Sequence, residues 1–234
     1  MFHFKQFSVD QTGCAMKINT DGVLLGALTE VDKPLAVLDI GTGTGVIALM
    51  LAQRFPAAQI DAVEIDEAAA NTAANNFKNS PFKDRLTLYA TDFKSFFDNR
   101  PEKKYDLIVS NPPFYINSLQ SPGAKKNQAK HAGDGFFDGL IEVIASHLAN
   151  NGICWLVLPR DTSALVKTLA ASSGLSLQKI IKIHSFKTDE AHREILAFGL
   201  QSARISEQNF VIYDAPKIYS QEYQAALRGF LTIF

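Results

Sequence analysis

The chain has 234 residues, 47% of them apolar and 20% charged, with a net charge of −1. That composition belongs to an ordinary soluble globular protein and leaves any nucleic-acid partner to local basic patches. Two cysteines are too few for a disulfide framework or a zinc site, and the apolar runs are too short to span a bilayer.

The opening "MFHFKQFSVD" lacks the apolar run of a signal peptide, so a reduced, cytoplasmic protein with no membrane partner is expected. "KINTDG" (17–22) offers a helix start capped by Thr20 or Asp21, or else a lid with Lys17 near a substrate entrance. "LAVLDIG" (35–41) ends an apolar run in Asp-Gly and predicts a buried strand, followed by a helix over 45–55. "QIDAVEID" (59–66) predicts the next strand, and the alanine-rich segment 67–79 the next helix. Further strands are predicted at 85–91, 104–110 and 152–159. Helices are predicted at 134–150 and 161–172, the latter with Asp161 as its cap. Strands separated by helix-length segments form βαβ units and a parallel sheet. The segments 175–185 and 193–201 have no helix between them and predict an antiparallel hairpin at the sheet edge. An extra strand at 209–214 and a terminal helix at 220–234 complete one domain spanning 1–234. Its extensions cover about 1–34 and 202–234. The simplest oligomeric expectation is a monomer.

Four strand ends carry the candidate chemistry. "DIGTGTG" (39–45) follows a strand and opens a helix, so Gly41, Gly43 and Gly45 allow a tight turn and close approach of a ligand. The helix behind them is expected to point unpaired N–H groups at that ligand. Glu64 stands at the tip of the next strand, 19 residues after Gly45, where a carboxylate can hold a ribose diol. The spacing is G-x-G-x-G, which differs from the dinucleotide fingerprint and argues against a nicotinamide-dependent oxidoreductase. Asp92 ends the third strand, placed either to accept from an adenine amino group, with Phe93 over the ring, or to cap a short helix.

The fourth strand ends in "SNPPF" (110–114). Pro112 forces Asn111 into an extended backbone, and Pro113 does the same to Pro112. Neither proline can donate a hydrogen bond, so the corner is stiff. The Asn111 side-chain oxygen and the Pro112 carbonyl can then converge on one –NH₂ group. Such acceptors favour a pyramidal nitrogen and aim its lone pair at a methyl group, by positioning and preorganised electrostatics alone. Phe114 offers a flat face for a base. The structural alternative is a proline-stiffened loop with asparagine as a turn former.

These residues resemble the class I S-adenosylmethionine-dependent methyltransferases that methylate amines and carry an NPPF or NPPY corner. The resemblance implies an α/β, Rossmann-like sheet of seven mostly parallel strands, order 3-2-1-4-5-7-6, with helices on both faces. It implies that Gly41, Gly43 and Gly45 border the methionine part of the S-adenosyl-L-methionine cofactor, that Glu64 takes the ribose and Asp92 the adenine. Asp39, Ile65, Phe93 and Asn111 complete the implied cofactor set, with Asn111, Pro112, Pro113 and Phe114 at the target amine. In "FKQFSVDQTGCAMKINTDGVLLGAL", "NPPFYINSLQSPGAKKNQAKHAG", "HREILAFGL" and "IYSQEYQAALRGFLTIF" the chain is similar to the bacterial tRNA1(Val) adenine N6-methyltransferases. That implies a tRNA partner and methylation of an adenosine beside the anticodon.

The chemistry of the corner does not by itself name the amine. Guanine N2 in ribosomal RNA, protein glutamine N5, and a non-catalytic nucleotide-binding role stay open. Lys125, Lys126 and Lys130, just past the corner, and Lys187 and Arg193 on the hairpin are candidate RNA phosphate contacts, with solubilising loop charge as the rival role. The five histidines have no metal-ligand spacing, and no metal is expected.

Overall fold

A computed structural model describes residues 1–113 and 135–234. Two short strands, β1 (Phe2–His3) and β2 (Ser8–Val9), precede helix α1 (Thr20–Leu28). Strand and helix then alternate through β3 (Ala36–Ile40), α2 (Val46–Arg54), β4 (Gln59–Glu64), α3 (Glu67–Lys78), β5 (Leu86–Ala90), α4 (Phe93–Asp98) and β6 (Tyr105–Ser110). After residue 134 come α5 (Phe136–His147), β7 (Leu148–Pro159) and α6 (Arg160–Ser172). The chain closes with β8 (Ser176–Phe186), β9 (Arg193–Gly199), β10 (Ser206–Ala215), β11 (Ile218–Tyr219) and α7 (Gln221–Leu227).

The main sheet has nine strands in the order β11-β10-β8-β9-β7-β6-β3-β4-β5. Counting β3 to β9 as strands one to seven gives 3-2-1-4-5-7-6, with β10 and β11 added outside the sixth. Strands β3 to β7 are parallel, while β9 runs antiparallel to both β7 and β8. Alternate residues of one strand feed opposite cores: Val37 faces the layer of α1, α2, α3 and α7, and Leu38 faces that of α4, α5 and α6. Both faces are covered, so these strands read as unbroken apolar runs.

Several expectations need correction. The sheet has nine strands rather than seven, and the β8–β9 hairpin is not the edge, because β10 pairs with β8 in parallel. The lysines and histidine of β8 alternate with isoleucines that β10 helps to bury, a match between strands distant in sequence. Helix α1 is capped by Asn19, whose side chain accepts from Gly22 N at 2.9 Å, and Thr20 and Asp21 lie inside it. Helix α6 starts at Arg160 behind Pro159, which puts Asp161 in the first turn instead of the cap. Strand β7 begins at Leu148, where the sequence suggested helix, because the chain passes through an irregular register against β6. The terminal helix ends at Leu227, and the tail turns back so that Leu231 bridges to Phe4. Lys5 Nζ donates to the Arg228 and Phe234 carbonyls at 2.6 and 2.8 Å, which joins the two ends of the chain.

The C-terminal segment is continuous with the main core: Leu227 is fully buried in the same cluster as Leu24 and Met50. We therefore propose that residues 1–234 fold as one unit. Leu227→Ala is expected to lower stability by about 2–5 kcal/mol while urea unfolding stays a single transition. A second, separate transition in the variant would show that the C-terminal segment folds independently.

Candidate active site

All the parallel strands end at one edge of the sheet, and there a cavity of about 640 Å³ opens. It falls within the range of small-molecule sites, roughly 300–1,000 Å³. Gly41, Gly43, Glu64, Ile65, Asp92, Phe93, Asn111, Pro112 and Pro113 all line it.

The glycine turn is held from behind. Gly41 N and Thr42 N donate to Val63 O at 2.8 and 3.1 Å, Gly43 N to Glu64 Oε2 at 2.8 Å, and Gly45 N to Thr42 O at 2.9 Å. Four of the turn's N–H groups, those of Gly41, Thr42, Gly43 and Gly45, are thus engaged within the protein. The turn also offers shape: an added Cβ at Gly43 would meet no atom of the described residues within 4 Å, so it would project into open space at the cavity wall. Gly45 serves differently. It does not line the cavity; its φ is +82°, and a Cβ there would come within 2.5 Å of Phe77.

Glu64 is buried, and its carboxylate oxygens accept from Gly43 N and Asp66 N at 2.8 and 2.9 Å. Each oxygen keeps a lone pair for a hydroxyl donor. Ile65 beside it is 74% exposed, an uncovered apolar surface at the cavity lip. Asp92 caps α4, accepting from Ser95 N at 2.9 Å and Ser95 Oγ at 2.6 Å, and also lines the cavity. The Ser95 hydroxyl, then the Ser95 amide, hold its carboxyl below the usual range. Phe93 meets Phe136 edge to face at 5.8 Å.

Asp39 does not reach the cavity. It lies fully buried beneath the turn, where Oδ2 accepts from the Thr42 hydroxyl at 2.6 Å and Oδ1 has no hydrogen-bond partner. Burial pushes its pKa up to about 7, offset in part by Thr42 and the nearby Ala48 amide and reinforced by the Glu64 charge.

At the corner, Ser110 Oγ donates to Ile40 O at 2.8 Å and fastens the end of β6 to β3. The next residue, Asn111, has a side-chain oxygen that is buried without a hydrogen-bond partner among the described residues. A buried unpaired acceptor costs free energy on the order of 1–3 kcal/mol, so its retention beside a cavity calls for a donor from a ligand. Phe114, Lys125, Lys126 and Lys130 lie outside the described residues.

The remaining candidates are dispersed. Lys17 is exposed and does not line the cavity. Arg193 Nε pairs with Asp21 Oδ2 at 2.8 Å, tying α1 to β9. Lys187 is exposed at the hairpin tip. The cross-strand register sets Ser110 level with Leu156, Leu196 and Ile180, so Lys187 projects beyond the carboxyl edge of the sheet.

Sequence reasoning overlooked several lining residues. Cys14, Ala15 and Met16 form a front wall, and Lys94 and Phe136 stand at the far end. The wall is fastened by Asn76, which accepts from Asp10 N at 2.8 Å and donates to Asp10 O at 2.9 Å and Thr44 O at 2.8 Å. Thr72 Oγ1 adds a bond to Thr12 O at 2.6 Å. The signal for this wall was weak, since a polar residue in an alanine-rich helix reads as solvent-facing. Among the described residues, no group of three or more His, Cys, Asp or Glu is placed to hold a metal, and no helix is long and apolar enough to cross a membrane.

The methyltransferase small domain family matches residues 17–172. The tRNA1(Val) (adenine(37)-N6)-methyltransferase of Pedobacter heparinus is 44% identical over 233 residues, covering 100% of this chain and 98% of the relative. The protein of the same name from Flavobacterium psychrophilum is 43% identical over 231 residues, covering 98% of each. The chain belongs to the tRNA1(Val) (adenine(37)-N6)-methyltransferase family. Among solved structures, a predicted O-methyltransferase, protein Atu636 of Agrobacterium tumefaciens, superposes with a TM-score of 0.69 at 17% identity, covering 90% of this chain and 96% of that one. A methyltransferase from Pyrococcus furiosus gives 0.55 at 23% identity, covering 81% and 90%. At such identities these neighbours speak for the fold alone, an α/β methyltransferase fold. The family's similarity extends along the whole chain, so it includes the front wall and the C-terminal strands as well as the motif residues.

Asp39 makes a testable link between the site and stability. Its folded pKa is raised, so the folded state holds a proton that the unfolded state gives up above about pH 4. Stability therefore falls as pH rises through the window from about 4 to about 7. Asp39→Asn is expected to abolish that fall: the difference in urea midpoint between pH 5 and pH 8 shrinks relative to the parent. An unchanged difference would mean that Asp39 is ionised throughout.

Proposed function

We propose that this chain transfers a methyl group from S-adenosyl-L-methionine to the N6 amine of an adenosine in tRNA, the substrate class named for its relatives. The observation that carries this is the buried Asn111 oxygen at the end of β6, unpartnered among the described residues and carried by a residue that lines the same cavity as the glycine turn and Glu64. The residues present fit the cofactor. Open space at Gly41 and Gly43 accommodates its methionine part, the remaining lone pairs of Glu64 suit the ribose hydroxyls, and Asp92, Phe93 and Ile65 form the adenine end. When bound, the cofactor supplies an electrophilic sulfonium methyl group.

The chain's own residues then act by placement. Asn111 accepts a hydrogen bond from the target amine and satisfies its own buried oxygen in doing so. Pro112 supplies the second acceptor through its carbonyl. Together they draw the nitrogen out of conjugation with the ring, which strengthens in the transition state and favours it over the ground state. The proline pair holds both acceptors without reorganisation. The base reaches them extruded from its stack, as enzymes acting on a base require.

The test is direct. The protein is incubated with labelled S-adenosyl-L-methionine and unmodified total RNA, and the product nucleoside is identified by mass spectrometry. N6-methyladenosine in a tRNA is expected; N2-methylguanosine or labelled protein alone would overturn the reading. Asn111→Ala should lower kcat roughly 10²–10³-fold with little change in cofactor affinity. Glu64→Ala should instead weaken cofactor binding measured by calorimetry, each lost charge-assisted bond amounting to about 1.5–3 kcal/mol.

A further inference from the structure

We infer that Lys94 binds a phosphate of the RNA strand at the mouth of the cavity, and that Gly139 is kept small to let it do so. The inference rests on the tRNA reading of this site and adds a residue that makes contact with the substrate backbone.

Lys94 lines the cavity from the first turn of α4, two residues after Asp92, and is exposed. Across from it, Gly139 is buried in the interior of α5. A glycine there is unfavourable by about 0.8–1.0 kcal/mol relative to alanine. Gly139 takes no left-handed backbone that would demand glycine. An added Cβ would meet Lys94 Cε at 2.6 Å and Lys94 Nζ at 2.9 Å, and among the described residues no other side chain within 4 Å. The missing side chain leaves room for the charged end of Lys94, which an added Cβ would push aside.

That ammonium has no carboxylate within 4 Å among the described residues. The proposed cofactor does not provide an anion there. It carries no phosphate, and on the proposed placement its carboxylate would lie with the methionine part at the glycine turn, whereas Lys94 neighbours Asp92 and Phe93 at the proposed adenine end. The substrate does provide one, because every nucleotide brings a phosphate. Phe136, one turn before Gly139 on α5, meets Phe93, the neighbour of Lys94, edge to face at 5.8 Å. An apolar rim for a base thus adjoins a cation for the backbone that carries it, the pairing of groups that single-stranded nucleic acid uses.

Three variants test this against the parent, with KM for tRNA, the salt dependence of tRNA binding, cofactor affinity and thermal midpoint measured for each. Lys94→Ala should raise KM for tRNA roughly tenfold, with the change on KM rather than kcat, and make the salt slope shallower by about one. Lys94→Arg should restore the slope, since a guanidinium also binds phosphate. Gly139→Ala keeps the charge but displaces it. It should raise KM for tRNA while the thermal midpoint stays level or rises, because alanine is the better helix former. If the parent methylates tRNA but Lys94→Ala leaves KM and slope as they were, the lysine is a solvated surface charge and the inference falls while the tRNA reading stands. Loss of cofactor affinity in Lys94→Ala would give the lysine to the cofactor and likewise overturn the inference. No methyl transfer to tRNA by the parent would remove both.

Discussion

The bond from Gly43 N to the Glu64 carboxylate decides the shape of this site. It ties the loop after β3 to the end of β4, across a span that no local turn covers. The second oxygen of Glu64 accepts from Asp66 N, so one side chain sets both the glycine turn and the entry to α3. The carboxylate is buried and doubly bonded, so the turn behind it is stiff before any ligand arrives. That stiffness is what allows the wall of the cavity to be bare backbone. The glycines leave the volume, and the hydrogen bonds behind them keep it open.

The same economy extends to the front of the cavity. Residues 14–16 have no strand or helix of their own, yet they stand as a wall because Asn76 and Thr72 reach out from α3 to the backbone of Asp10 and Thr12 just before them. Asn76 also bonds Thr44 O inside the glycine turn. The wall and the turn therefore share one anchor, and a shift in α3 moves both. The Asp21–Arg193 pair fastens α1 to β9 in a similar way, and α1 lies close to Asn111, whose Nδ2 would be in ordinary contact, 3.5 Å, with a Cβ added at Gly22. The asparagine thus sits between a strand end stiffened by prolines and a helix held by an ion pair.

Against this background of satisfied groups, the exceptions are informative. Asp92 and Glu64 have their bonds within the protein, but Asn111 Oδ1 and Asp39 Oδ1 do not. The Asp39 oxygen is sealed under the turn and is accommodated by a raised pKa. The Asn111 oxygen adjoins the cavity, where an incoming amine can supply the missing donor. Gln53 Oε1 and Ser163 Oγ are likewise buried without partners among the described residues, but of these four residues Asn111 alone lines the cavity.

The sequence alone determined the alternation of strands and helices, because burial on both faces turns each central strand into a short apolar run that cannot be mistaken for an amphipathic helix. It also determined the place of the site: "DIGTGTG", Glu64, Asp92 and "SNPPF" stand at strand ends, and parallel strands put their ends at one edge. Proline and glycine restrict backbone directly, so those local shapes were legible without any neighbour. Tertiary structure decided what depends on contacts between distant segments. Whether Asp92 caps or binds is not a local question, and it does cap while facing the cavity. The extra pairing of β10 with β8, the wall at 14–16 and the clasp of Asn76 join residues tens of positions apart. The groove at Gly139 exists only because α4 lies beside α5. A single residue carries no mark of such a partner; the partner is supplied by the packing.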